Sequence, residues 1–215
     1  IGAFMKRLAT FAALSTLLIA SSALADSNSL LMNQEGAGNL ANFEQVGLNN
    51  KINTTNIYSL ATPTYGQYGS GNRVDAKQSG TGNVMEFSQG FGSNTPSAAE
   101  TGSNTRQTSV QLGDDNILTN HTRGESTVSN MTQTGKENFA QAATAGDRSV
   151  TTIQQDGIKN TVSSANVGLL NNATVIQAGE RLVSASAVEG RENDLTIRQH
   201  GTDSAVMALV TGESN

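Results

Sequence analysis

The chain has no cysteine, two prolines and two histidines; aromatic residues make up 4% of its 215 positions and charged residues 14%. Without cysteine there are no disulfides, no thiol chemistry and no thiolate metal sites, which suits export without oxidative folding. The calcium-binding pattern Gly-Gly-x-Gly-x-Asp is missing. Gly69-Ser70-Gly71 lacks the further glycine and the helix that a phosphate loop needs. Acidic residues such as Asp114, Asp115 and Asp156 fall where turns are expected, an ordinary place for aspartate. Scarce aromatics and charges among abundant Gly, Asn, Ser and Thr would by themselves suggest disorder. No constellation breaks the pattern described next, so no enzyme, cofactor or metal centre is expected.

A repeat overrides the compositional reading. Eight of the 13 glutamines stand 22 residues apart, at Gln45, Gln67, Gln89, Gln111, Gln133, Gln155, Gln177 and Gln199. Glycine follows two places on at Gly47, Gly69, Gly113, Gly135, Gly157, Gly179 and Gly201, and asparagine five places on at Asn50, Asn72, Asn94, Asn116, Asn138 and Asn160. A second grid lies 11 residues away, at Gln34, Asn56, Gln78, Glu100, Thr122, Thr144, Asn166, Val188 and Val210. It too is followed by glycine, at Gly36, Gly80, Gly102, Gly124, Gly146, Gly168, Gly190 and Gly212, with Asn39, Asn83 and Asn171 in the asparagine position. A fixed period in this range marks stacked supersecondary units.

Between the turn signals the pattern has period two. Ala41 and Phe43, Ile52 and Thr54, Val74 and Ala76, Met85 and Phe87, Ile153, Val175 and Ile197 share one parity, while Lys51, Asn53, Thr55, Arg73, Asp75 and Lys77 take the other. Alternation over five or six residues bounded by Gly and Asn reads as a half-buried strand. Turns are assigned to x-Gly-x-x-Asn, since glycine takes positive φ freely and asparagine tolerates it. A helix is excluded, because period two places no single face on a 3.6-residue cycle. The expected fold is all-β: a two-sheet parallel β-solenoid of about eight 22-residue coils, each strand-turn-strand-turn. Equivalent residues then stack about 4.8 Å apart, and the glutamines form an inward column in which each amide bonds to the next.

The opening reads as a secretory signal peptide over residues 5–25, with Lys6 and Arg7 before the apolar run Leu8–Ser21 and Ala23-Leu24-Ala25 as the cleavage site. That run is too short for a membrane span. Residues 26–33 form a short lead-in and 34–215 the repeat. Removing Lys6 and Arg7 leaves 11 basic and 18 acidic residues, a net charge near −7 that argues against a nucleic-acid partner. No capping helix or charge cluster is evident near Asn215, so each open end is expected to template another copy.

Gln34-x-Gly36-x-x-Asn39-x5-Gln45 and Gln67-x-Gly69-x-x-Asn72-x5-Gln78 resemble the curlin repeat, and with the signal peptide the chain looks like a curlin, a subunit of extracellular curli fibres. The resemblance covers residues 30–215. It implies a secreted, cell-surface functional amyloid of biofilm matrix and adhesion, reached through the periplasm. It further implies self-association, a nucleator or major curlin partner, an outer-membrane secretion channel and periplasmic accessory proteins. The major subunit is favoured over the minor nucleator. From another class, the alternative is a soluble β-solenoid that binds glycan or ice.

Several positions depart from the grid. Phe91 replaces a turn glycine, Pro63 and Pro96 occupy inward strand positions, and Leu182 and Ser204 interrupt the asparagine column. From Glu100 to Thr132 the inward set turns polar (Gln107, Ser109, Asn120, Ser129) while Val110, Ile117 and Val128 point outward, so these coils are expected to be the weakest and locally bulged. Glu100 is expected to be protonated, locally exposed or out of register. His121 is read as an outward strand residue and His200 as a turn residue, both solvated. The outward positions Lys51, Arg73, Thr95 and Ile117 are mixed, so no flat threonine column is expected.

Overall fold

The computed structural model describes residues 18–20, 29–35, 41–46, 51–57, 64–68 and 70–214. The first nine strands are β1 (Leu18–Ala20), β2 (Ser29–Glu35), β3 (Ala41–Val46), β4 (Lys51–Ile57), β5 (Thr64–Tyr68), β6 (Arg73–Thr81), β7 (Val84–Gly90), β8 (Thr95–Ser103) and β9 (Arg106–Asp114). The second nine are β10 (Ile117–Glu125), β11 (Val128–Lys136), β12 (Phe139–Asp147), β13 (Val150–Ile158), β14 (Thr161–Leu169), β15 (Asn172–Glu180), β16 (Val183–Arg191), β17 (Asp194–Thr202) and β18 (Ala205–Glu213). Odd-numbered strands form one nine-stranded sheet in chain order and even-numbered strands the other. Every strand pairing is parallel, and from β2 onward every register is 22 residues, as in Gln133↔Gln155 and Thr122↔Thr144. The protein is therefore a two-sheet β-solenoid, and among the described residues it has no helix, hence none long and apolar enough to cross a membrane.

Alternating side chains produce the two faces. Along β11, Ser129, Met131 and Gln133 are buried while Val128, Asn130 and Thr132 are only partly covered. Apart from β1, β3 and β5, the strands are longer than the five or six residues read from the sequence. From β8 onward each has nine, and the grid glycine lies inside the strand.

The direction change falls instead on two residues. The residue before the column position adopts left-handed backbone every 11 residues, at Ser93, Asn104, Asp115, Ser126, Glu137, Arg148, Lys159 and onward to Ser214, with φ between 53° and 59°. The column asparagines Asn94, Asn116, Asn138, Asn160 and Asn171 do lie in the bends, as the second of the two residues, but take no positive φ; the left-handed conformation belongs to the residue before each. Backbone pairing runs through the bends: Ile117 N donates to Asn138 O (2.9 Å) and Glu137 N to Asp114 O (3.0 Å). Bend amides thus find partners in neighbouring coils, as buried backbone must.

Glycine is required where coils meet. Gly157 has φ 121°, and a Cβ on it would collide with the carbonyl oxygen of Gly179 one coil on. The same relation links Gly113, Gly135 and Gly157 in turn. Phe91 stands where this column would hold a glycine; its strand β7 stops at Gly90, and Phe91 turns outward at φ 72° with 68% exposure.

The core lies between the sheets in two apolar clusters. Val74, Ala76, Met85, Phe87 and Ala98 form the first; Leu118, Met131, Ala140, Ala142, Ile153, Val162, Val175 and Ile197 form the second. A polar layer separates them. Gln107, Ser109, Asn120, Thr122 and Ser129 are all buried, with Gln107 Nε2 donating to Thr122 Oγ1 (2.7 Å) and Ser129 Oγ to Asn120 Oδ1 (2.8 Å). The inward set turns polar here as read from the sequence, but no bulge results: β8 to β11 keep the 22-residue register throughout. The discontinuity is earlier. Pro96 is inward and pairs with Leu118, yet β6 and β8 begin pairing only at Asp75↔Ser97. Proline lacks the N–H that the ladder to β6 would need.

Candidate functional site

Each inward column is a chain of hydrogen bonds along the solenoid axis. Gln67 Nε2 donates to Gln89 Oε1 (2.7 Å), Gln89 to Gln111 (3.3 Å), Gln111 to Gln133 (2.7 Å) and Gln133 to Gln155 (2.8 Å). Gln155 then donates to Gln177 (3.0 Å) and Gln177 to Gln199 (2.7 Å). All six bonds run the same way, from the earlier coil to the later. The second amide proton crosses to the opposite sheet, from Gln133 to Ile117 O (3.0 Å), Gln155 to Phe139 O (3.1 Å) and Gln177 to Thr161 O (3.2 Å). These amides are wholly buried, and a buried polar group left without a partner costs about 1–3 kcal/mol. Each amide inside the column therefore relies on a coil on either side, while the last, Gln199, turns its amide protons to Val183 O (3.0 Å) and Ser204 O (3.3 Å).

The asparagines make a second column beside the bends. Asn138 Nδ2 donates to Thr134 O of its own coil (3.1 Å) and to Gly157 O of the next (2.9 Å), while Asn138 Oδ1 accepts from Asn160 N (3.0 Å). One side chain thus closes its own bend and fastens the following coil. Asn94, Asn116 and Asn160 make the same bond to the next coil's glycine carbonyl, at 2.8, 3.0 and 3.0 Å. The column ends as expected at Leu182, whose N–H is held by Asn160 Oδ1 (3.0 Å) but whose buried side chain offers no amide.

Gln34 and Gln45 are described through backbone register alone, opposite Asn56 and Gln67. Asn39, Asn50, Gly36, Gly47, Gly69 and Pro63 lie outside the described residues, as does the stretch 5–25 read as a signal peptide, apart from the β1 residues, which pair with β3. Asn72, Asn83 and Asn171 are buried, and Asn83 and Asn171 bond Gly102 O (3.2 Å) and Gly190 O (3.1 Å). The even sheet holds column members that the sequence reading passed over. Asn193 donates to Gly212 O (2.9 Å), while Thr127 and Ser149 send hydroxyl protons to Gly146 O (3.0 Å) and Gly168 O (3.2 Å). The signal was there, since all three stand five places after the second grid. A hydroxyl replaces one amide bond of the three.

Glu100 is in register and fully buried, so of the three expected outcomes neither exposure nor a register shift occurs. Burial raises its pKa from 4.5 to about 7, although the hydrogen bond from Gln78 and the nearby Thr105 hydroxyl act to lower it. His121 is an exposed strand residue, while His200 lies in β17 rather than in a turn. An outward threonine-rich column does exist, on the odd sheet: Thr108, Asn130, Thr152, Thr174 and Thr196 stand in register. The reading that no such column exists followed a single set of outward positions on the even sheet. No family model, curated protein or solved structure matches the chain.

Proposed function

We propose that this chain is a secreted structural protein that self-assembles end to end into an extracellular curli-type amyloid fibre for biofilm matrix, adhesion and surface colonisation, as the major subunit. The one-way glutamine ladder carries the proposal. Because every coil donates to the next at the same position and in the same direction, the upper face of one coil complements the lower face of any other, including a coil of a second copy. The curlin-repeat resemblance supports the same reading, as does a thin core that rewards a coil mainly through its neighbours.

The purified mature chain should pass from monomer to sedimenting filaments after a lag that preformed seeds abolish, with a meridional reflection near 4.8 Å. The threonine-rich column favours a second reading, a soluble solenoid that binds a regular glycan surface. A chain that stays monomeric at high concentration with seeds present, yet binds a crystalline polysaccharide, would overturn the fibre proposal and support the second.

A further inference from the structure

We infer that the outer face of the even sheet, across β6 to β12, binds a strand of anionic polysaccharide. Sixteen outward positions make up this face, from Arg73 to Ala145. They hold Arg73, Lys77 and Arg123 with His121, and Asp75 is the acid among them; two further acids, Glu125 and Asp147, stand at the far ends of β10 and β12 beyond these sixteen. Asp75 is already engaged, its Oδ2 accepting from Arg73 Nε at 2.8 Å. Lys77 and Arg123 make no ion pair among the described residues, and both are exposed, with Glu125 two places beyond Arg123 at the end of β10.

The register gives this charge a shape. Lys77, Ala99, His121 and Ala143 stand in one column, and Ser79, Thr101, Arg123 and Ala145 in the next but one along the strands. Ala99 is short between two long neighbours, which leaves one open trough between Lys77 and His121 and a second beyond His121 toward Ala143. Adjacent strands are about 4.8 Å apart, so Lys77 and His121 are separated by roughly 10 Å across a floor of small residues. Ser97 and Thr101 add hydroxyls to that floor.

Such a trough is too open to enclose a single ion. It suits an extended polymer carrying carboxylates or sulfates at intervals, with sugar hydroxyls meeting Ser97 and Thr101. Nucleic acid fits less well, because no Phe, Tyr or Trp lines the trough and His121 is the one ring there on which a base could stack. The site lies on the outer face and does not depend on end-to-end assembly.

The test is binding of fluorescent polyuronate, a sulfated glycan, neutral dextran and single-stranded DNA to the full mature chain, alone and as filaments, over a salt series. One or both acidic glycans should bind, which also tells carboxylate from sulfate recognition, while dextran should not. Changing both Lys77→Gln and Arg123→Gln should weaken that binding roughly tenfold and flatten the salt slope by about two, one per lost ionic contact. Arg106→Gln on the odd sheet should leave it unchanged. All three substitutions are outward, and unchanged circular dichroism confirms the fold. Equal binding by parent and double variant, equal binding of dextran, or tighter binding of DNA than of either glycan would overturn the inference.

Discussion

Gln78 Nε2 donates a 2.7 Å hydrogen bond to Glu100 Oε2, and both side chains are fully buried between the sheets. The other carboxylate oxygen, Glu100 Oε1, has no hydrogen-bond partner, nor has Gln78 Oε1. A column whose other members, from Gln78 through Thr122 and Asn166 to Val210, are neutral thus contains one ionisable rung.

That rung should make stability depend on pH. Burial lifts the carboxyl from 4.5 to about 7, so between those values the folded chain keeps a proton that the unfolded chain has released. The stabilisation is complete below pH 4.5 and is lost as the pH rises through 7. Between pH 4.5 and 8 the parent should lose on the order of 3 kcal/mol that Glu100→Gln does not. Parallel denaturant curves for the two chains would show it, and identical pH dependence would refute it.

Gln154 and Gln155 are chemically identical neighbours of opposite parity, the first exposed and the second buried in the ladder. Gln155→Ala strips Gln133 of its acceptor and Gln177 of its donor. It should destabilise by about 2–4 kcal/mol and slow filament elongation, whereas Gln154→Ala should stay within about 0.5 kcal/mol. Denaturation midpoints and seeded growth rates measure both.

Ser109 sits in a column between Phe87 and Met131, and its buried Oγ has no hydrogen-bond partner. It lies in the polar layer that parts the two apolar clusters. Ser109→Ala should raise stability by about 1 kcal/mol by removing an unsatisfied hydroxyl. An unchanged or lower unfolding midpoint would show that the hydroxyl is satisfied in solution.

The backbone predicts opposite outcomes at a strand glycine and at a bend residue. Gly157→Ala forces a Cβ against the Gly179 carbonyl at φ 121° and should cost more than about 3 kcal/mol, read as a collapse of the melting transition. Leu170 holds left-handed backbone at φ 59° with its side chain 39% exposed. Leu170→Asn should stabilise by about 0.5–1 kcal/mol, since asparagine tolerates that region.

Much of this was legible in the residues. The 22-residue spacing of Gln67 to Gln199 and the parity shared with Phe87, Ile153 and Ile197 specify two sheets, their register and an inward amide column, because a strand's side-chain period of two leaves no other arrangement. Pro96 could be placed inward from parity alone, but which of its two neighbouring ladders would fail depends on where its nitrogen points. The same limit hid the asparagine: five residues after each glutamine it looks like a turn former, and only the carbonyl of Gly157 above Asn138 shows it to be a fastener between coils.

What the sequence determined by itself is periodicity, and through it the coil, the strand faces and the identity of each column. Tertiary structure alone decided the common direction of the amide bonds, the left-handed residue before each column position, the burial of Glu100 and the basic trough at Lys77, His121 and Arg123. The reason is geometric. Each of these depends on atoms one or two coils away, 22 or 44 residues along the chain, whose orientation no local pattern encodes.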